Sequence, residues 1–168
     1  MFLKNDILQK NRSESMAFLI DKYLPNYTYN EFHKKIINAS AQSCFIATKN
    51  LDMSKSFITA ILMKLRGLPT EDLTMPGFLK NVCFVYLEED PYKEFVIDAS
   101  QQNIKIFWNF YFREIDKNKT LVSTETRILC STKRSKFLFS LYWLFIKPFS
   151  GIIRIEMLRL IKKKAENN

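Results

Sequence analysis

Apolar residues at every second position mark the middle of a predicted β-sheet. In the segment IKIFWNFYFREI, every second residue from Ile104 to Phe112 is apolar and falls on one face of an extended strand. The turn DKNK, residues 116–119, then reverses the chain, and TLVSTETRILC returns as a second strand. The pattern therefore predicts a β-hairpin whose apolar face carries Ile104, Ile106, Trp108, Phe110 and Phe112.

Three further segments predict the rest of the sheet and two helices. Residues 29–38 suit a first strand, and VCFVYLEE and KEFVID form a hairpin around DPY. Between them, Ser40 caps a helix that reaches about Leu51, and a second helix ends at Gly67. The apolar residues of the second helix share one face, which we expect to pack in the core: Phe57, Ile58, Ile61, Leu62 and Leu65.

The C-terminal stretch, residues 137–164, is either a membrane span or a packed helix. Its uninterrupted apolar part, Phe137–Ile146, is shorter than the roughly 20 residues that cross a hydrocarbon core. Pro148 and Gly151 favour a kink. We predict a packed helix, with peripheral membrane contact as the alternative. Its core stripe is Ile153, Met157, Leu160, Ile161 and Ala165, and its solvent side is Arg154, Glu156, Arg159, Lys162 and Lys163.

The order of these elements predicts an α+β fold. A curved antiparallel sheet of about five strands would grip a long, kinked C-terminal helix, with two helices after the first strand. The space between sheet and helix is often too wide for side chains to fill and can take an apolar ligand. We expect residues 1–17 to be an N-terminal tail or short helix and residues 18–168 to form a single domain.

Composition narrows the classes of protein that need to be considered. Of the 168 residues, 47% are hydrophobic and 14% aromatic, which is typical of a packed globule. The net charge of +9 is spread along the chain without a nucleic-acid-binding motif, so we expect no specific nucleic-acid partner. Three widely spaced cysteines and one histidine favour neither a disulfide framework nor a zinc site. We expect a cytoplasmic protein with free thiols and without a metal or cofactor.

Five segments also carry a resemblance to a known family: LPNYTYNEFHKKI, LRGLP, WNFYF, STETRI and YWLFIKPFSGIIRIEMLRLIKKKAE. They resemble the START-like, or SRPBCC, helix-grip superfamily and, within it, a bacterial group for which no activity is established. The matches extend over most of residues 18–166. The resemblance implies a helix-grip fold with a hydrophobic cavity, and it adds Arg66 and Asn109 as candidates by match alone.

The chain departs from that family between two strands. Only ASQQNIK separates KEFVID from the strand that contains WNF, where relatives have a longer section. We therefore expect a sheet that is shortened by one or two strands. The gap this leaves in the cavity wall is closed by the N-terminal tail, by a second copy of the chain, or not at all.

Glu125 and Arg127 are the most specific candidates for a polar ligand contact. Two residues apart on a strand, they point the same way and can form an ion pair that, facing the cavity, anchors a ligand carboxylate or hydroxyl. If the hairpin loop at residues 116–119 has an even number of residues, Glu125 lies opposite Phe110, on the face that carries Trp108. An odd loop with a bulge would place Glu125 on the other face. A self-satisfied ion pair is the structural alternative.

His33 and six aromatic residues complete the predicted ligand site. His33 is the only imidazole, and it matches a histidine in the first strand of the family. Its open roles are a structural hydrogen bond, a ligand contact or acid–base chemistry. The expected pocket walls are Trp108, Phe110, Phe112, Phe139, Tyr142 and Trp143, although aromatic residues at this spacing are more often simple core.

Three functions are compatible with this sequence. The leading hypothesis is binding of a hydrophobic small molecule or lipid between the sheet and the C-terminal helix, without established catalysis. The second is a cyclase- or dehydratase-like enzyme that uses His33 or Glu125 as its acid or base. The third is an interaction protein that contacts a membrane surface or forms a homodimer.

Overall fold

The computed structural model describes residues 18–54 and 56–167 of the chain. In this part the strands are β1 (Tyr29–Ile37), β2 (Val85–Asp90), β3 (Glu94–Asp98), β4 (Ile104–Asp116) and β5 (Lys119–Cys130). The helices are α1 (Leu19–Tyr23), α2 (Ala41–Lys49), α3 (Phe57–Leu65), α4 (Met75–Asn81) and α5 (Lys133–Glu166). The N-terminal tail predicted over residues 1–17 lies outside the described residues.

The five strands form one antiparallel sheet in the order β1-β5-β4-β3-β2. The central hairpin of β4 and β5 pairs over almost its whole length, and Trp108 stands opposite Thr126. β1 pairs with β5 at one edge, and β2 forms the other edge. The predicted number of strands and the predicted meander are both confirmed.

The long helix α5 packs on the sheet face that carries Trp108, which we call the inner face. Phe95 and Phe110 lie there with 5.3 Å between ring centroids, so aromatic rings supply much of the core volume. The main core joins residues of β4 and α5, among them Trp108, Phe110, Phe112, Ile153, Met157 and Ile161. This packing confirms the predicted α+β helix-grip layout.

The short helix α1 covers the opposite, outer face of the sheet. Ile20 packs there against Val96 and Phe107. The Glu94 carboxylate accepts hydrogen bonds from the backbone N–H groups of Leu19 at 2.7 Å and Ile20 at 3.2 Å. Burial raises the pKa of Glu94, even though these N–H groups oppose the effect. The sequence did not predict this outer layer.

The helix boundaries follow recognisable caps. Ser40 accepts a hydrogen bond from the N–H of Ser43, and so begins α2 as predicted. The sequence did not predict α4, because Pro76 and Gly77 are typical of a turn. Thr74 caps this helix, and proline is tolerated in a first helical turn, where its missing N–H has no helical partner. α5 continues through Pro148 without ending.

Of the α3 residues predicted to face the core, only Leu62 does so. Thr59, Leu62 and Met63 are buried, and Phe57, Ile58, Ile61 and Leu65 are exposed. The start of the helix sets this orientation, since Ser56 Oγ donates a 2.8 Å hydrogen bond to Glu156 of α5. Ser56 in turn accepts a hydrogen bond from Thr59 Oγ1 at 3.1 Å. On α5, Arg154 and Glu156, which we predicted in solvent, are buried as well.

Candidate functional site

A pocket of about 310 Å³ separates the first half of α5 from the start of β4. Ile104 and Ile106 form its floor, because both lie on the inner face of β4. The remaining lining residues are Gln101, Leu138, Phe139 and Tyr142. Toward the C-terminal half of α5 the core fills the space. The gap between sheet and helix is therefore present only along the first half of the helix.

An aromatic cluster of β1 and α5 adjoins this pocket. The Phe139 ring lies 5.6 Å from Tyr29 and stacks on Trp143, also at 5.6 Å. The Tyr142 hydroxyl accepts a hydrogen bond from Arg66 Nη2 at 3.0 Å, which ties the end of α3 to the pocket wall. Of the predicted wall residues on α5, Phe139 and Tyr142 line the pocket, and Trp143 contacts the Phe139 ring without lining the pocket.

The strand register places a row of polar groups beside the pocket floor. The row at the pocket crosses three strands at Tyr29, Ile128 and Ile106, and the next row crosses them at Glu31, Thr126 and Trp108. Successive rows on one face of a sheet are about 7 Å apart. The second row therefore lies just beyond the inner end of the pocket, although its residues do not line the pocket themselves.

Arg154 of α5 completes this second row. Its guanidinium carbon lies 3.5 Å from the centroid of the Trp108 ring, a cation–π contact. Glu31 Oε1 is 3.0 Å from His33 Nε2. Gly151 makes room for this pair, because a Cβ at that position would stand 2.9 Å from Glu31 Oε1. Arg154 and Glu31 are each only 8% exposed, so the cluster is a buried polar site inside the grip.

Burial and neighbouring charges perturb both ionisable groups of the cluster. Burial lowers the pKa of Arg154 to about 9, an effect that Glu31 opposes and the nearby Arg66 increases. Burial alone would raise the pKa of Glu31. Hydrogen bonds with His33 and Ser150 and the charge of Arg154 outweigh it, so this pKa lies below its usual value. At neutral pH the charged Arg154 thus lies near the ionised Glu31 carboxylate.

Two polar atoms of this cluster have no hydrogen-bond partner among the described residues. They are Arg154 Nη1 and Glu31 Oε2, and both are buried. Most buried polar groups in proteins are hydrogen-bonded, so such atoms call for an explanation. A guanidinium donor of this kind can bind a carboxylate with strong, directional hydrogen bonds.

The predicted polar anchor, Glu125 and Arg127, lies on the other side of the sheet. A β-bulge at residues 114–116 shifts the hairpin register, and Glu125 stands opposite Asn109 rather than Phe110. Both side chains therefore face outward, away from α5. The prediction that they contact a ligand in the gap was wrong for this geometric reason.

On the outer face, Arg127 ties α1 to the sheet. Its Nη1 donates hydrogen bonds to Asp21 at 2.6 Å and to the carbonyl of Leu24 at 2.9 Å. Its Nη2 donates to Glu125 at 3.2 Å. The ion pair is thus structural, as the alternative interpretation of the sequence held. Of the two residues predicted as a possible acid or base, His33 lies on the inner face and Glu125 on the outer face.

The three predicted aromatic residues of β4 belong mainly to the core. Phe110 and Phe112 are buried among α2 and β3 rings such as Phe45 and Phe95, and neither lines the pocket. Trp108 borders the polar cluster, and its Nε1 donates to Thr124 Oγ1 at 2.5 Å. Only Trp108 of this trio therefore adjoins the candidate site.

Glu31 and Arg154 were not predicted as site residues, although the sequence carries a signal for each. Glu31 precedes His33 by two positions on a strand, so the two residues share a face. Arg154 lies three and seven positions before Met157 and Ile161, which belong to the apolar stripe of α5. A charged residue at helical spacing within a core stripe indicates a buried charge.

Other features of the described chain offer less chemistry. A second pocket of about 470 Å³ lies between α4 and the edge strand β2, lined by Pro76, Leu79, Lys80, Cys83, Phe84, Val85 and Tyr86. Its one charged lining residue, Lys80, is exposed. Within residues 18–54 and 56–167, no group of three or more His, Cys, Asp and Glu side chains is placed to hold a metal ion.

Five antiparallel strands hold one long C-terminal helix against the inner face, with a pocket between them. The chain has a helix-grip fold. No protein-family model and no curated protein matches the sequence significantly. Similar solved structures include norcoclaurine synthase from Thalictrum flavum, at 11% identity over 90% of this chain and 93% of that chain, with a TM-score of 0.49.

Two further solved structures are similar to the chain. A START superfamily protein from Mycobacterium smegmatis is 9% identical over 83% of this chain and 96% of that chain, with a TM-score of 0.40. The di-domain ARO/CYC protein BexL from the BE-7585A biosynthetic pathway is 8% identical over 83% of this chain, with a TM-score of 0.45. The chain spans 47% of the length of BexL. Similarities this distant assign no activity to the chain.

Proposed function

We propose that the protein binds a small apolar molecule carrying an acidic group, in the pocket between β4 and α5. The observation that carries this proposal is the buried, charged Arg154 guanidinium beside the inner end of an apolar pocket. The function class is the one that the sequence favoured. The residue proposed to bind the polar group of the ligand is Arg154, in place of Glu125 and Arg127.

The size and lining of the pocket support a small apolar ligand. Its volume of about 310 Å³ lies at the lower end of the roughly 300–1,000 Å³ that is usual for ligand pockets. Ile104, Ile106 and Leu138 provide hydrocarbon surface on both the strand side and the helix side. A single short hydrocarbon chain or a small ring system fits this space, whereas an entire two-chain lipid does not.

The charges at the inner end support an acidic group on that ligand. Arg66 is close enough to lower the pKa of Arg154, and among the described residues Glu31 is the carboxylate whose charge raises it. A bound carboxylate would bring a second negative charge and accept a hydrogen bond from Arg154 Nη1. Holding a cation in such a desolvated position lowers stability, and groups perturbed in this way cluster at functional sites.

Calorimetric titration with octanoate and octanol tests the proposal. The two probes share a hydrocarbon chain, and only octanoate is charged at neutral pH. We expect octanoate to bind about 10- to 100-fold more tightly, because a hydrogen bond to a charged group contributes roughly 1.5–3 kcal/mol. Equal affinities of the two probes for the wild-type protein would contradict the proposed role of the guanidinium.

Three variants separate the two parts of the site. Arg154→Met should reduce the affinity for octanoate to that for octanol, and Ile106→Trp should prevent binding of both by filling the pocket. Lys105→Trp is the matched control, because it places the same bulky side chain one residue away on the exposed outer face. Binding that survives in Ile106→Trp would rule out this pocket as the site.

A further inference from the structure

The outer side of α3 and α5 carries a broad apolar surface that the proposed function does not use. Along α5, apolar residues are exposed at helical spacing from Phe137 to Ile155. Leu144 is 71% exposed and Phe57 of α3 is 79% exposed. We define the docking face by its most central members: Phe57, Ile61, Leu65, Leu144, Phe145 and Ile152.

Two side-chain hydrogen bonds make this face continuous across the two helices. Ser56, at the start of α3, bonds to Glu156 at 2.8 Å, and Arg66, at its end, bonds to Tyr142 at 3.0 Å. The helices therefore lie side by side in opposite directions, and their exposed apolar rows adjoin. Contiguous apolar surface on this scale marks an interaction site more often than chance exposure.

The charged residues of the two segments that form the docking face have a single sign. No Asp or Glu occurs from Lys133 to Ile155 or from Ser56 to Arg66. The exposed basic residues in these two segments are Lys64, Lys133, Arg134, Lys136 and Lys147. An apolar face whose own segments carry only basic charges complements an interface of acyl chains and anionic headgroups.

We propose that the docking face binds peripherally to an anionic membrane surface. A second copy of the chain is a poorer fit, since a two-fold contact would bring the same cations together. Among the described residues, α5 is the one helix long and apolar enough in composition to span a membrane. Its other side, however, carries Ile153, Met157 and Ile161 of the protein core, so a span would dismantle the fold.

The docking face adjoins the mouth of the ligand pocket. Leu138 and Tyr142 line that pocket and are themselves exposed, close to Leu141 and Phe145 along α5. Membrane binding would therefore bring the pocket mouth to the source of apolar ligands. The inference does not depend on the proposed function, because the face needs no bound ligand in order to dock.

Flotation of the full chain with vesicles tests this inference. One set of vesicles contains phosphatidylcholine alone, and the other contains phosphatidylcholine mixed with phosphatidylserine. We expect binding to the mixed vesicles that weakens as salt is raised. Leu144→Glu should weaken binding at least about tenfold, because it removes an inserted side chain and adds a repelled charge. Phe32→Glu, on the outer face of β1, adds the same charge elsewhere and should bind like the wild type.

Any of the following outcomes would overturn the proposal. Absence of binding to the mixed vesicles, or equal binding of Leu144→Glu, would exclude the docking face as a membrane site. Sedimentation that shows a dimer abolished by Leu144→Glu, without vesicle binding, would assign the face to a second copy. Resistance to alkaline extraction would indicate a spanning helix. Octanoate titration of the same Leu144→Glu sample tests the pocket separately.

Discussion

Replacement of Arg127 by leucine separates a structural role from the ligand role that the sequence predicted. Arg127 is fully buried, and its removal leaves Glu125, whose side chain is 5% exposed, with one cation fewer. Removing one partner of a buried ion pair costs roughly 3–5 kcal/mol, because the other charge stays desolvated. Each kcal/mol lowers the Tm of a domain of this size by about 2–4 °C. We therefore expect Arg127→Leu to melt about 6–20 °C below the wild type.

Thermal unfolding followed by circular dichroism at neutral pH measures this shift. Arg113→Leu is the control, because Arg113 is exposed on the neighbouring strand and its loss should change stability by no more than about 0.5 kcal/mol. Well below its Tm, Arg127→Leu should bind octanoate with wild-type affinity. An unchanged Tm combined with lost octanoate binding would refute the structural assignment and restore the ligand role.

Three further predictions concern the backbone, the core and acid stability. Gly67 has a φ of +67°, so Gly67→Ala should lower the free energy of unfolding by about 1–2 kcal/mol in urea denaturation. An unchanged urea midpoint would argue against this backbone conformation. In the same assay, Met157→Ala should lower the free energy of unfolding by roughly 2–5 kcal/mol, because Met157 is buried. Leu144 is exposed, so Leu144→Ala should lower it by no more than about 0.5 kcal/mol. Similar losses in the two variants would contradict the burial of Met157. In the folded protein the pKa of Glu31 lies below its ordinary value of 4.5. The ionised carboxylate therefore stabilises the fold fully above pH 4.5, and this stabilisation is lost as the pH falls through the folded pKa. Glu31→Gln should therefore lose less stability than the wild type over this acid range, and identical acid titrations would exclude the effect.

The strands were predictable because their signal is local. The alternation from Ile104 to Phe112 predicts a β-strand, and the apolar residues on one of its faces must be buried against other elements. The position of the chain reversal was equally visible in the residues of the turn. Which face the return strand presents was not visible, because the bulge at residues 114–116 shifts the register by a local distortion. The anchor residues Glu125 and Arg127 were therefore assigned to the wrong side.

The orientation of the helices depends on partners distant in the chain. The apolar residues of α3 favoured the core by composition, yet the hydrogen bond from Ser56 to Glu156, one hundred positions apart, turns its other side inward. Arg154 was assigned to solvent for a similar reason, because its contact with Trp108 joins α5 to the middle of the sheet. Both misplacements arise where polar side chains are buried through long-range contacts that hydrophobic periodicity does not register.

Methyl NMR of the full chain during titration with octanoate tests the central claim most directly. The pocket and the docking face carry different isoleucine and leucine methyl groups, so one experiment reports on both. We predict that the largest shifts fall on Ile104, Ile106 and Leu138. Shifts confined to Ile58, Ile61 and Leu65, or no saturable shifts at all, would contradict binding between β4 and α5.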